Sequence, residues 1–185
     1  TEATLIIEGL GEEDGLRALR HALGSPFDIS GAARHSGRSL VRVEGLAGSV
    51  AYRAGQLRDR LQGAVTLVEG AASAALWREV RDVAPLVAKP GDIWRIATIP
   101  TAAAEIVART EGEAVCDWAG GLIWLRCDPE LRPTVIAAVA GRGHATLVRG
   151  EGGPVFPLEA AEVAALSAGL RATFDPRGIL NQGIA

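Results

Sequence analysis

The chain has 185 residues, of which 48% are apolar, and a formal net charge of -3. This is enough for one sizeable domain or for two small ones packed as a unit. The 19 basic residues are spread along the chain, and the only cysteines are Cys116 and Cys127. A nucleic-acid interface, a disulfide scaffold and a zinc site built on cysteines are therefore not expected.

Hydropathy and the N-terminus indicate a soluble piece of a longer protein. No apolar run approaches the roughly 20 residues that a membrane helix needs, and the N-terminus lacks the basic-then-apolar pattern of a secretory signal. These features predict a cytoplasmic location. Because Thr1 adjoins a predicted strand and the chain contains no Met, we expect the chain to be an excised domain.

Hydrophobic periodicity in the first half predicts the order strand, helix, strand, strand, helix, strand. Leu16, Leu19 and Leu23 recur at helical spacing behind an acidic first turn, and Gly24 is placed to end that helix. A second helical stripe consists of Val50, Ala54, Leu57 and Leu61. The predicted strands cover residues 3–9, 27–33, 40–45 and 64–69.

The second half repeats this order, with strands at 93–99, 114–118, 122–127 and 144–149 and helices at 101–110 and 131–140. We therefore predict an α+β fold made of two ferredoxin-like halves (βαββαβ twice), each an antiparallel sheet with helices on one face. The halves are residues 1–70 and 92–150. Residues 71–91 are a connecting helix, ended by Pro85, and a loop.

A C-terminal helix and tail, residues 151–185, complete the chain. Its apolar stripe of Val163, Leu166, Leu170 and Phe174 is predicted to dock the helix, and Asp175-Pro176 to end it. The other face of the sheet remains unusually apolar in the pattern, notably in the second half. Packing within the chain or in a dimer explains this as well as a missing domain or a cofactor does.

The C-terminal sequence Phe174-Asp175-Pro176-Arg177-Gly178-Ile179-Leu180-Asn181-Gln182-Gly183 resembles the C-terminal signature of FAD-linked oxidases. That family includes D-lactate dehydrogenases, D-2-hydroxyglutarate dehydrogenases and glycolate oxidase subunits. Segments 25–33, 49–55, 117–121 and 143–147 extend the resemblance over essentially the whole chain, most closely to FAD-binding subunits of bacterial glycolate oxidases. The resemblance implies the duplicated C-terminal cap domain, with the nucleotide part of FAD held by an N-terminal domain outside this chain.

The residues that catalysis requires in the family are replaced here. Catalytic relatives carry two histidines on one hairpin and a Glu-His pair, which bind a metal and the 2-hydroxy acid. If Gly120-Gly121 forms a two-residue turn, residues 117 and 124 face each other across that hairpin. They are Asp117 and Trp124, and the Glu-His pair becomes Val148-Arg149. We therefore predict no catalytic residue and no metal site, since an indole offers no lone pair for a metal.

Other positions matched to the family are candidates for ligand contacts. Asn181, Gly178 and Leu180 are the predicted flavin contacts, although Gln182 stands where the family has Pro. Substrate-side candidates are Arg81, Trp94, Arg95, Asp117 and Trp124. Each has an ordinary explanation, because a surface arginine is commonly paired with an acid and a sheet tryptophan commonly lies in a core.

The leading functional hypothesis is the cap domain of a glycolate oxidase-like, FAD-dependent subunit. It would contribute flavin contacts and dock to catalytic and iron–sulfur subunits, through which membrane association could arise. The isolated chain is expected to be inactive and not to bind FAD stably. One alternative is a free-standing ferredoxin-like binding or oligomerisation module. Another keeps the enzyme class but has Asp117 or Arg149 serve the oxidation of an alcohol or a sugar acid.

Overall fold

A computed structural model describes residues 1–152 and 155–180, which form one antiparallel sheet of eight strands and seven α-helices. The strands are β1 Glu2–Glu8, β2 Gly31–His35, β3 Arg38–Glu44, β4 Ala64–Glu69, β5 Asp92–Thr98, β6 Glu113–Asp117, β7 Leu122–Cys127 and β8 Gly143–Arg149. The helices are α1 Glu12–Leu23, α2 Ala47–Arg58, α3 Gly70–Arg81, α4 Ala84–Val87, α5 Ala103–Thr110, α6 Arg132–Val139 and α7 Ala161–Phe174.

The strand order is β4-β1-β3-β2-β6-β7-β5-β8. From the β4 edge inward, the strands of the first half come in the order fourth, first, third, second. From the β8 edge inward, the strands of the second half come in the same order. This arrangement agrees with the predicted α+β class and with two ferredoxin-like halves. The origin of the two halves by internal duplication stays a prediction. The halves meet edge to edge, so that one sheet runs through the whole fold.

The seam between the halves is short. It consists of two residue pairs between β2 and β6, Arg34 with Cys116 and His35 with Val115. Arg34 is 3% exposed and donates hydrogen bonds to the Glu12 carboxylate at 2.9 Å and to Ser39 Oγ at 2.9 Å. Strand β2 is therefore tied to α1 and β3 by side-chain bonds as well as by the ladder.

Helices cover both faces of the sheet, whereas the sequence pattern predicted helices on one face. Helices α1, α2, α5 and α6 pack on one face of the sheet, which we call the helix face. The core on that face includes Leu5, Leu16, Ile96 and Ile123. On the opposite face, α3 and α4 bury Trp77, Val80 and Leu86 against strand residues that include Leu40 and Val115. The connecting segment thus covers part of the face that the sequence left open.

Two predicted boundaries differ clearly from the structure. Residues 27–30 precede β2 rather than belonging to it, because Asp28 has a left-handed backbone (φ 49°) that interrupts an extended strand. Pro85 does not end the connecting helix. That helix ends at Arg81, and Pro85 lies in the first turn of α4, where a missing N–H is tolerated.

The predicted docking of the last helix is wrong for the described residues. Helix α7 ends at Phe174 as predicted, but none of its side chains is buried, and Leu166 and Phe174 are 70% and 79% exposed. The apolar stripe therefore has no partner within the part of the chain that the structure describes. No helix in that part is both long and apolar enough to span a membrane.

A buried histidine lies at the seam. His35 is 2% exposed, its Nε2 has no hydrogen-bond partner among the described residues, and its Nδ1 lies 3.4 Å from Ser36 Oγ. Burial lowers the pKa of His35 from 6.5, and the neighbouring Arg38 guanidinium lowers it further, while Glu79 opposes both. The folded protein therefore holds this imidazole neutral beside the seam.

This predicts acid-sensitive stability. Because the folded pKa of His35 lies below the unfolded value, the unfolded chain binds more protons as the pH falls below about 6.5. The free energy of unfolding contributed by this group is therefore complete above that pH and declines below it. Urea unfolding between pH 5 and 8 should show a slope that His35→Leu removes. The exposed-site control His21→Leu should keep it, and a slope retained by His35→Leu would contradict the assignment.

Candidate functional site

A groove with a volume of about 530 Å³ lies between α3 and the tip of the β6–β7 hairpin, on the face opposite the helix face. The charged and aromatic side chains that line it are Glu2, Arg42, Trp77, Arg78, Arg81, Asp117 and Trp118. Two of these, Arg81 and Asp117, are candidates from the sequence. The groove therefore joins three guanidinium groups, two indoles and two carboxyl groups.

Trp77 is the fixed floor of this groove. Its Nε1 donates to Thr4 Oγ1 at 2.8 Å, and Thr4 Oγ1 lies 2.7 Å from Ser73 Oγ, which in turn donates to Glu2 at 2.8 Å. All the polar atoms beneath the indole thus have partners, as buried groups require. The indole lies against Gly31 of β2, whose missing side chain leaves room for the ring.

Arg42 stacks on that indole. Its guanidinium carbon lies 4.6 Å from the centroid of the Trp77 ring, a cation–π distance. Its Nε lies 3.3 Å from a Glu44 carboxylate oxygen, out of hydrogen-bond alignment, and is buried with no hydrogen-bond partner in the described residues. One donor of a stacked cation at the groove is therefore unsatisfied.

The tip of the hairpin differs from the predicted two-residue turn. The last pair of the ladder is Asp117 with Leu122, and Trp124 pairs with Val115. The turn spans four residues because Trp118 and Ala119 adopt left-handed backbones, φ 51° and 53°. Residues 117 and 124 are therefore diagonal neighbours on one face and not directly opposite, so the predicted register is corrected.

The turn has close packing and local strain. Gly120 has φ 101°, and a Cβ there would lie 2.7 Å from Ala103 Cβ. Two consecutive left-handed residues other than glycine cost free energy that the surrounding packing must offset. The result is an indole, Trp118, held 62% exposed at the wall of the groove.

Asp117 begins this turn. Its Oδ1 accepts the Trp118 backbone N–H at 2.8 Å. Burial raises the pKa of Asp117 above its ordinary value, although the Trp118 N–H and the positive charge of Arg42 act in the opposite direction. Desolvation is therefore the dominant effect on this carboxyl group.

The two arginines of α3 differ in their partners. Arg81 is exposed and makes a two-pronged bond to Asp82, at 2.7 and 3.0 Å, which raises the pKa of Arg81 and lowers the pKa of Asp82. Arg78 is exposed and makes no salt bridge within the described chain. Arg78 is therefore the more available cation for an anionic ligand, and the sequence comparison did not single it out.

The remaining substrate-side candidates lie outside the groove. Trp94 is 2% exposed in the core beneath the helix face. Arg95 and Trp124 are paired neighbours on β5 and β7, half-buried on the same face as the groove. Arg149 donates to the carbonyl oxygens of residues 87, 89 and 91 and so holds the segment after α4.

One carboxylate holds residues 175–180, the last described part of the C-terminal tail. Asp175 accepts the backbone N–H groups of Ile179 at 3.0 Å and Leu180 at 2.9 Å, and the N–H of Gly178 donates to its carbonyl at 2.9 Å. These bonds, that from Leu180 foremost, lower the pKa of Asp175. Gly178 has φ 59°, and Leu180 is 63% exposed. Asn181 lies outside the described residues.

Within the described residues there is no group of three or more His, Cys, Asp or Glu side chains that could hold a metal. Burial raises the pKa of the Cys116 thiol to about 12 and that of Cys127 to about 11. Neither cysteine is therefore a thiolate near neutral pH. The chemistry of the described site comes from guanidinium, indole and carboxyl groups.

Sequence reasoning missed Arg42 and Arg78. Arg42 could have been found from strand parity, because it shares a face with Leu40 and faces the connecting helix. The exposure of Trp118 could not be predicted, since it depends on a four-residue turn that the Gly120-Gly121 pair hides.

Comparison with known proteins gives a relative that matches most of the chain. No protein-family profile matches the chain. The chain is 30% identical over 159 residues to glycolate oxidase subunit GlcE of Escherichia coli (strain K12). The predicted resemblance is confirmed. The aligned region is 85% of this chain and 41% of the relative, so the chain spans less than half of the length of the protein that it matches.

The packing of Trp77 on Gly31 gives a testable prediction. A Cβ at residue 31 would lie 2.6 to 2.9 Å from the indole ring. Gly31→Ala should therefore displace Trp77, lower the free energy of unfolding by about 1–3 kcal/mol and change the tryptophan emission. Gly48→Ala, in α2 with nothing within 4 Å of the added atom, is the control and should be neutral or stabilising. Equal effects of the two variants would contradict this packing.

Proposed function

We propose that this chain is the cap region of an FAD-dependent oxidoreductase subunit of the glycolate oxidase type. The observation that carries the proposal is the similarity to a glycolate oxidase subunit over 159 residues. The described part of the signature, in which Asp175 holds Ile179 and Leu180, adds support from the geometry. In the longer protein, FAD would accept the electrons of the oxidation, and the cap would contribute contacts to the ring and to partner subunits.

The tail is the proposed flavin side of the cap. Its fit rests on two properties, the absence of a Cβ at Gly178 and the exposure of Leu180. Because the Leu180 N–H already donates to Asp175, its exposed side chain is the part proposed to contact a ring. Asn181 would add an amide able to bond the polar edge of the flavin.

The groove is the proposed substrate side. A carboxylate could be bound by Arg78, and its organic part could lie against the exposed ring of Trp118. Arg81 would take part only after leaving Asp82. Arg95 and Trp124 border the same face, whereas Trp94 is buried in the core and no longer belongs among the candidates.

We propose that the cap does not catalyse metal-assisted oxidation. The four family positions carry Asp117, Trp124, Val148 and Arg149, and Val148 is an exposed aliphatic side chain. The guanidinium group of Arg149 already donates hydrogen bonds to three backbone carbonyl oxygens. These four side chains provide one carboxylate and no imidazole, which is a poor set for a divalent metal.

A second candidate function is oxidation of an alcohol or sugar acid with Asp117 as the base. The observation in its favour is that burial raises the pKa of Asp117 inside a groove that also holds guanidinium groups. A carboxylate of raised pKa is a better proton acceptor for a hydroxyl group. The same role for Arg149 has no support, given its carbonyl partners.

The longer protein and this chain should be compared directly. We expect the longer subunit to bind FAD stoichiometrically and to oxidise glycolate slowly when alone, with no loss on chelation by EDTA, whereas the 185-residue chain should not bind FAD tightly. Absorbance titration and dye-coupled turnover measure both. Rapid turnover by the single subunit that EDTA abolishes would overturn the noncatalytic assignment.

Further outcomes separate the alternatives. Loss of turnover on an alcohol in Asp117→Asn, with FAD still bound, would favour the second candidate. The absence of FAD from a correctly folded longer protein would instead favour a free-standing binding or oligomerisation module. Asp59→Asn, at an exposed site after α2, is the matched control for Asp117→Asn.

Asp175 gives a prediction that needs no turnover. Its two carboxylate bonds hold Ile179 and Leu180, so Asp175→Ala should loosen the tail and weaken FAD binding by the longer subunit several-fold, since bonds to a charged group are the stronger ones. Flavin fluorescence on dilution measures the dissociation constant. Asp59→Ala should leave it unchanged, and unchanged binding in Asp175→Ala would remove the tail from the flavin side.

A further inference from the structure

The two edges of the sheet differ in their protection. At the β8 edge, the Leu147 N–H donates to the carbonyl oxygen of Val155, so the chain itself covers part of this strand. At the other edge, β4 pairs with β1 through six consecutive residues and with nothing else in the described chain. Within the described residues, strand β4 therefore has no strand paired to its outer side.

The backbone groups that face outward from β4 can be assigned from the ladder. Thr1 and Gly45 exchange backbone hydrogen bonds, so the odd-numbered residues of β1 point their N–H and C=O groups toward β3. The even-numbered residues point toward β4, where Ile6 faces Thr66. Thr66 and its even-numbered neighbours thus bond to β1, and Val65 and Leu67 offer their backbone groups outward.

The sequence of β4 carries few of the devices that usually protect an edge. Residues 64–68 contain no charge, no proline and no glycine, and the ladder has no bulge. The one charged residue of the strand is Glu69, at its end. Natural edges are commonly blunted by lysine, proline or a bulge, because a bare edge pairs with other strands. Leu67 is 37% exposed although it lies on the helix face.

The strand is complementary to itself. In an antiparallel pair of two β4 strands, directly opposite residues must lie on the same face of the sheet. The twofold axis that relates the two strands therefore passes between two copies of the same residue. With Thr66 on that axis, Val65 opposes Leu67 of the second copy, and both are residues with outward backbone groups. Ala64 opposes Val68, and no like charges oppose each other. Each copy would thus satisfy the free edge of the other.

We propose that β4 is a homodimerisation edge, at which two copies of this chain join their sheets into one of sixteen strands. The occupant of the edge is a second copy rather than an unrelated strand, because the apolar pattern and the outward backbone groups match under the twofold. The contact is small, at the lower end of specific interfaces, so the dimer forms reversibly and depends on concentration.

Sedimentation velocity over a concentration series tests the proposal. The wild-type chain should shift from its monomer mass of 19.2 kDa toward the dimer. Leu67→Lys and Leu67→Pro should each weaken association at least about tenfold, the first by setting a charge on the edge and the second by removing an outward donor while leaving the ladder to β1. Leu46→Lys, at a leucine that is 84% exposed elsewhere, should have no effect.

Two other outcomes would overturn the proposal. A wild-type chain that stays monomeric at the highest concentration is one. A dimer that Leu166→Lys in α7 abolishes and that both Leu67 variants retain is the other, because it would place the contact on the exposed helix. If the Leu67 variants fail to fold, amide exchange of the wild type decides, since Val65 and Leu67 amides should be protected at high concentration and exchange freely at low concentration.

Discussion

The fold depends on a seam of two residue pairs between β2 and β6. Every other neighbouring pair of strands shares a ladder of five residues or more, so the continuity of the sheet is weakest at this point. Arg34 compensates through bonds that reach α1 and β3, and Glu12 supplies the opposite charge at the start of α1. Two halves that could pack separately are thereby held as one body.

The groove is a consequence of that seam. Joining β2 to β6 brings the floor of the first half, with Arg42 and Gly31, beside the tip of a hairpin that belongs to the second half. The connecting helix then crosses the same face and supplies Trp77 and Arg78. No single half contains the full set of side chains, so the chemistry of the groove exists only in the joined sheet.

Much of the fold was predictable, because the period of the apolar residues along the sequence differs between strands and helices and is regular in most segments of this chain. All eight strands and the main helices occur where the pattern indicates, within a few residues. The local errors arose where a few backbone angles decide the outcome. Left-handed Trp118 and Ala119 lengthened a turn, and Asp28 delayed β2. Such angles are set by tertiary contacts, which hydrophobic periodicity does not encode.

The candidate site was less predictable, because a site depends on register and on which face a helix covers. Arg81 and Asp117 were named from family positions and do lie in one groove, but Trp94 was lost to the core once strand parity assigned it to the helix face. Arg42 became a site residue only because α3 crosses the far face, which no local pattern predicts.

Helix α7 follows a different logic from the rest of the fold. Elsewhere, exposed apolar side chains are scattered, which is normal for a protein surface, but α7 carries several on one continuous element together with the adjoining tail. Glu162 and Arg171 are its only two charged residues, so few of its side chains are well solvated by water. A helix of this composition gains free energy only from a partner surface. The same tail carries the family signature, so the covering of α7 and the contact with a flavin would take place on neighbouring surfaces of the longer protein.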